Sequence, residues 1–189
     1  MKRDFMINYE NKLKEIVKND VNMMSILQVV EKLNLKDAWV CAGFIRNKVW
    51  DISHNLSTPL NDIDIIYFDT TDISIKKEKQ LEKELDILLP NQPWSVKNQA
   101  RMHLISGFEP FVSSYDGVAH FPETSTAIAI RICNKQVEIM APYGLQDLFE
   151  LRVNPTPFFK NNKQLYPTYV ERINSKKWNE RWENLIINI

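Results

Sequence analysis

Apolar and polar positions recur along the chain in several rhythms, and each rhythm predicts a different kind of element. Near the start, Met24, Leu27, Val30 and Leu33 return every three residues, the spacing of a helix with one core-facing stripe. Helices are expected over 8–18 and 21–33, with Asp20 as the N-cap between them. Ala38-Trp39-Val40-Cys41-Ala42 is short and continuously apolar, which reads as a buried strand ended by Gly43. A helix over 44–53 follows, with Ile45, Val49 and Ile52 apolar.

After a loop containing Ser57-Thr58-Pro59, the run Ile63, Ile65, Ile66, Tyr67 and Phe68 predicts a second strand. Residues 74–89 read as a charged amphipathic helix with Leu81, Leu85 and Leu88 on one side and a solvated Lys/Glu face. Beyond it come a strand over 94–97, a short helix through 101–104 and a loop over 107–122. A strand at 126–133, a turn at Asn134-Lys135, a strand at 136–140 and a short helix within 142–151 complete the core. The aromatic tail, with Tyr166, Tyr169, Trp178 and Trp182, reads as helix packed against the sheet. Helices alternating with strands and then a hairpin predict an α+β (α/β) domain with a mixed β-sheet flanked by helices. Within that single domain, 1–35 supplies N-terminal helices, 36–150 the core and 151–189 the helical tail.

Composition narrows the class. Of 189 residues, 44% are hydrophobic and 25% charged, as in ordinary globular proteins. Lys+Arg and Asp+Glu are both 24, so no overall basic field marks a nucleic-acid binder. Met1–Met6 lacks the apolar run of a signal peptide, and no segment reaches membrane-spanning length, so a cytoplasmic protein is expected. Cys41 and Cys133 sit in apolar stretches without CxxC or histidine neighbours and are expected to be buried reduced thiols. His54, His103 and His120 have no metal-ligand spacing.

The chemistry centres on Asp62 and Asp64. In a strand, residues i and i+2 project to one face, so the two carboxylates stand together. Two like charges at the start of a core strand call for a cation, and a hard divalent ion with oxygen ligands fits. The strand–Gly–helix unit just before them offers free helix N–H groups at Gly43, suited to a polyphosphate. Order and spacing together suggest a metal-bridged triphosphate site.

At this point the chain resembles the DNA polymerase β-type nucleotidyltransferase superfamily. Ala42-Gly43-Phe44-Ile45-Arg46-Asn47 is similar to the Gly-Gly-x-Val-Arg-Asp stretch of tRNA CCA-adding and poly(A) polymerase heads, and Asn61-Asp62-Ile63-Asp64-Ile65 to their Asp-Ile-Asp strand. Trp94–His103, Pro122-Glu123-Thr124 and Ala141–Phe149 resemble a small bacterial nucleotidyltransferase-like family over about residues 20 to 185. Ala42 and Asn47 depart from the superfamily pattern.

The resemblance implies a polymerase-β-type fold, two Mg²⁺ ions on Asp62 and Asp64, and an NTP substrate. Glu138 is the candidate third carboxylate, or else an exposed strand residue. Ala42, Gly43, Arg46, Lys97 and Arg101 are candidates for nucleotide binding, with salt-bridge or helix-anchoring roles as alternatives for the last three. The implied reaction moves a nucleoside monophosphate from an NTP to a hydroxyl on a small-molecule, protein or RNA acceptor, releasing pyrophosphate. A catalytically idle nucleotide-binding or regulatory module, or a toxin-like enzyme modifying tRNA or protein, are the alternatives.

Overall fold

The computed structural model describes residues 8–189; the leader-free reading of Met1–Met6 concerns residues outside that range. Helix starts follow local side-chain chemistry. Asn8 caps α1 (Tyr9–Asn19), and Asp20 caps α2 (Val21–Lys32) by accepting from the Met23 N–H at 2.9 Å. Each such cap contributes about 1 kcal/mol. The chain then forms β1 (Trp39–Cys41), α3 (Gly43–His54), β2 (Ile63–Tyr67), α4 (Ile75–Leu88, capped by Ser74) and β3 (Trp94–Asn98). A 3₁₀ turn (Gln99–Arg101), α5 (His103–Ser106) and α6 (Ser114–Ala119) precede the hairpin β4 (Ala129–Cys133) and β5 (Gln136–Met140). Its turn residues, Asn134 and Lys135, have φ of 51° and 61°, the left-handed pair that a two-residue hairpin requires. The tail adds α7 (Gln146–Phe149), β6 (Arg152–Val153), α8 (Pro157–Lys160), α9 (Tyr166–Lys176), α10 (Trp178–Arg181) and β7 (Ile186–Ile187).

The five main strands lie in the order β3-β2-β1-β4-β5, antiparallel except for the parallel β2–β3 pair. This is the expected mixed sheet flanked by helices. Its two faces are unequal. Ile63, Ile65, Tyr67, Val40, Val96, Ile130 and Val137 point into a large core shared with α1 to α4 and the tail. The opposite face carries a smaller cluster of Trp39, Cys41, Ile66, Ala129 and Met140, closed in part by Val118 and Phe121. Leu13 and Val17 of α1 are fully buried in the main core, so the N-terminal helices belong to the same folded unit.

Several expectations change. Residues 107–122 hold a helix, α6, started by Ser113 and tied to the start of β1 through Ser114 N–H to Asp37 Oδ2 at 2.8 Å. Six residues with a central glycine show no apolar period, so the sequence pattern hid it. The charged face of α4 is not all solvated. Glu82 and Glu78 accept the Val96 and Asn98 N–H groups at 3.1 and 2.8 Å, covering the outer edge of β3, and Leu88 is exposed instead. The tail shares the main core with the sheet and docks on α3. Trp178 and Trp182 meet Trp50 edge-on at 5.6 and 5.2 Å, and Trp182 Nε1 donates to Asp51 Oδ1 at 2.9 Å. Cys41 is a buried free thiol as expected, while Cys133 is only half-buried.

Trp182 is 1% exposed, so Trp182→Ala should cost about 3–5 kcal/mol, chiefly through the cavity left, since Thr58 still donates to Asp51. Urea denaturation should show a lower midpoint with an unchanged slope.

Candidate functional site

Packing fixes the aspartates. With Ile63, Ile65 and Tyr67 turned into the core, Asp62 and Asp64 stand on the opposite face of β2, Asp62 exposed just before the strand and Asp64 half-buried within it. The β1–β2 register pairs Cys41 with Asp64, which brings the Ala42–Gly43 turn to the Asp62 end. Ala42 carries the unusual backbone there, φ 58° and ψ −120°, a conformation glycine adopts far more easily. The constrained turn position is therefore Ala42, while Gly43 has helical backbone and room for a Cβ at 3.5 Å from Arg46 Nη2. No side chain caps α3. Ile45 and Arg46 bond back to the Ala42 carbonyl, and the Gly43 and Phe44 N–H groups are left for a ligand.

The carboxylates carry an electrostatic cost. Burial and the neighbouring Asp62 charge push the Asp64 carboxyl above its ordinary range, while Ser95 and Lys97 of β3 and Arg172 of α9 pull it back. Burial also holds the Cys41 thiol protonated, reinforced by Asp64 and Asp62. An oxygen-donor pair in which the Asp62 charge opposes ionisation of Asp64 fits a hard divalent cation. Among the described residues no group of three or more His, Cys, Asp or Glu side chains comes together.

The structure brings only some of the sequence candidates to the pair. Arg46 is buried near it, donating to Thr126 Oγ1 at 3.1 Å and Asn47 Oδ1 at 2.8 Å and lying 4.3 Å over the Trp178 ring. Burial lowers its pKa to about 10, so it anchors α3 and contributes positive potential from behind the turn. Lys97, level with Ile66 in the β2–β3 register, stays half-buried beside Asp64.

Arg101 and Glu138 are corrections. Arg101 is buried, and its Nε and Nη2 bond the two Glu78 carboxylate oxygens at 2.8–3.1 Å, which commits its charge to that pair. Glu138 shares the sheet face of the aspartates but lies on β5, three strands away across β1 and β4. At a strand spacing of about 4.8 Å that is roughly 14 Å, beyond any shared metal. It pairs with Arg131 at 2.7 Å, whose guanidinium lies over Trp39.

Sequence reasoning missed Arg172. From α9, its Nε donates to the fully buried Glu123 at 2.6 Å, and its charge reaches Asp64. Glu123 Oε2, Ser125 Oγ and Arg46 Nε are buried without partners in this region. The Pro122-Glu123-Thr124 segment thus fastens the tail to the core. No local pattern could have found Arg172, because it arrives from a helix distant in sequence.

Beyond Asp64 the same face opens into a cavity of about 250 Å³, walled by Ile66, Met102, Phe108, Phe111 and Phe121, with Lys97, Gln99, Ser106 and His120 as its further polar side chains. No helix among the described residues is long and apolar enough to cross a membrane.

Comparison with known proteins places this geometry. A family described as nucleotidyltransferase matches residues 28–187. An NMR structure described as revealing a CCA-adding enzyme head domain is 36% identical, covers 94% of this chain and 95% of its own, and superposes with a TM-score of 0.83. Full-length CCA-adding enzymes share the fold at lower identity. The Thermotoga maritima enzyme complexed with tRNA is 14% identical with a TM-score of 0.58, and a CCA-adding enzyme complexed with ATP is 15% identical with 0.55. This chain spans 42% of the length of each. No curated protein matches it.

Two outcomes follow for the site residues. Arg101→Ala should cost about 3–5 kcal/mol by leaving Glu78 buried and unpaired, seen as a lowered unfolding midpoint. Because the Asp64 carboxyl is held above its unfolded value, its ionised form opposes folding, and that cost grows as pH rises through the folded pKa. Asp64→Asn should therefore raise the melting temperature at neutral pH and flatten its pH dependence.

Proposed function

The chain belongs to the nucleotidyltransferase family, and from that premise we propose that it moves a nucleoside monophosphate from an NTP to an acceptor hydroxyl. The observation that carries the reading is the placement of Asp62 and Asp64 beside the uncapped N-terminus of α3. The β- and γ-phosphates lie against the Gly43 and Phe44 N–H groups, where the helix dipole favours negative charge. Arg172, committed to Glu123 through Nε, offsets further phosphate charge from the opposite wall, with Arg46 adding field from behind. Asp62 and Asp64 are the residues that would hold Mg²⁺, which would supply Lewis-acid polarisation and charge neutralisation for the transferred phosphoryl group.

The acceptor oxygen attacks the α-phosphorus in line, and the bond from that phosphorus to the bridging oxygen of the β-phosphate breaks. Pyrophosphate leaves with the electron pair, and the hydroxyl proton passes to solvent water. The solved CCA-adding enzyme complexed with ATP supports nucleotide binding by this fold. The displacement of Glu138 favours a second reading, a nucleotide-binding module that does not turn over.

Titration of Mg²⁺ and ATP into the protein should saturate for the wild type and be lost in the Asp62→Ala, Asp64→Ala double variant. Incubation with α-labelled NTPs, Mg²⁺ and cell extract should label an acceptor and release pyrophosphate. Saturable nucleotide binding without any labelled product would select the idle module, and no nucleotide binding at millimolar concentration would sink both. Arg172→Lys, which keeps a cation beside Glu123, should raise the KM for NTP about tenfold by losing the guanidinium fork.

A further inference from the structure

We propose that the cavity beyond Asp64 is the acceptor's binding site, and that it selects a hydroxyl carried on a flat apolar ring, of the size of a phenol. The inference rests on the transfer reaction above and deepens it by naming the acceptor class.

In-line displacement sets the direction. The attacking oxygen must approach the α-phosphorus from the side opposite the departing pyrophosphate. The strand register places the α3 turn at the Asp62 end of the pair, since Cys41 faces Asp64 and Ala42–Gly43 run on past it. The cavity lies at the other end, lined by Asp64 and Ile66 and by Lys97, the register partner of Ile66. A triphosphate anchored at Gly43 therefore points its leaving group away from the cavity and its reacting phosphorus toward it.

The walls then specify the occupant. Phe108, Phe111 and Phe121 present aromatic surface, and Ile66 and Met102 add apolar contact. Rings stack or meet edge-on against such walls. Polar side chains, Gln99, Ser106 and His120, interrupt these walls and could meet a ring substituent, while Asp64 and Lys97 stand where a hydroxyl would meet the α-phosphate. About 250 Å³ lies just below the range of drug-sized ligand sites, enough for one ring with a short substituent and too little for a nucleic-acid strand. The balanced charge of the chain likewise offers no extended basic track. Leu104, Ile105 and Val112 stand exposed on the segment that walls the cavity, so the ring can arrive free or on a polypeptide as tyrosine.

The test uses the full chain with Mg²⁺ and α,β-methylene-ATP, and 4-ethylphenol as the ring probe followed by NMR. Phenol and nucleotide should bind together. Met102→Trp, filling the cavity from a half-buried position, should weaken 4-ethylphenol about tenfold or more while nucleotide affinity holds. Phe111→Ala should do the same from the opposite wall, with an unchanged circular dichroism spectrum reporting the fold. With α-labelled ATP, 4-ethylphenol and a tyrosine-containing pentapeptide are compared. Faster labelling of the peptide marks a protein-borne ring, and faster labelling of the free phenol a small molecule; either supports the proposal. Mutual displacement of phenol and nucleotide would give the cavity to the nucleobase and overturn it. So would phenol binding unmoved by both variants, or nucleotide binding without phenol binding. Failure of the wild type to bind nucleotide at all would instead overturn the transfer reaction itself.

Discussion

The functional face depends on the two-residue period of β2 against a core that accepts only one side of it. Ile63, Ile65 and Tyr67 are at most 1% exposed and fill the main core, which leaves Asp62, Asp64 and Ile66 no alternative to the opposite face. A one-residue slip would exchange the two sets and bury both carboxylates among aliphatic side chains, at several kcal/mol for each ion. The antiparallel partner β1 is locked by the same packing. Because Val40 must face the core, Cys41 lies opposite Asp64, and the turn that follows has only one place to go. The geometry of carboxylates and helix terminus is thus a consequence of hydrophobic register.

That register leaves a charge problem which the rest of the molecule answers from a distance. Asp64 is held partly out of water beside a like charge, and its countercharges come from β3 and from the tail. Arg172 is steadied by Glu123, which is itself fully buried, and Arg46 lies between Thr126, Asn47 and the Trp178 ring. The indoles that fix the tail on α3 therefore also fix the distance between its arginine and the aspartates. Buried polar atoms without partners gather in the same region, at Arg46, Glu123 and Ser125. Stability has been given up there in favour of a field pointed at an anion.

Much of this was legible in the chain. The five strands of the main sheet, the α2 cap at Asp20, the hairpin turn at Asn134-Lys135 and the pairing of Asp62 with Asp64 on one face all follow from local periodicity, and the structure bears them out, whereas β6 and β7 lie in a tail read as helical. What failed was everything set by long-range pairing. Glu138 sits in a good strand pattern, yet strand order puts β5 at the far edge, and strand order cannot be read from alternation. Arg101 and the apparently solvated Glu78 are consumed by each other across 23 residues of separation. Arg172 comes from a helix whose sequence says only that it is amphipathic. Helix α6 escaped because Gly117, which packs against Gln99 so closely that a Cβ would fall 2.3 Å from its Oε1, reads locally as a breaker.

The same division bears on how this fold can serve different acceptors. The aspartates, the α3 turn and their register belong to the sheet and its main core, and altering any of them disturbs the hydrophobic packing that creates them. The 3₁₀ turn, α5, the following loop and α6 stand apart from that core. They touch the sheet through the small cluster of Trp39, Cys41, Ile66, Val118 and Ala129, and through Ser114 on Asp37. Substitutions there change the walls facing Asp64 without moving Asp64. On the proposed transfer, substitutions at Met102, Phe108 and Phe111 would change what the cavity accepts and leave the phosphate chemistry alone, since a hydrophobic site discriminates ligands by shape and area at a cost spread over several weak contacts. A third carboxylate on β5 could not follow such changes, being fixed by Arg131 and the edge of the sheet. The aromatic wall between residues 102 and 121 is consequently the part of the cavity whose side chains lie off the strands that carry the aspartates.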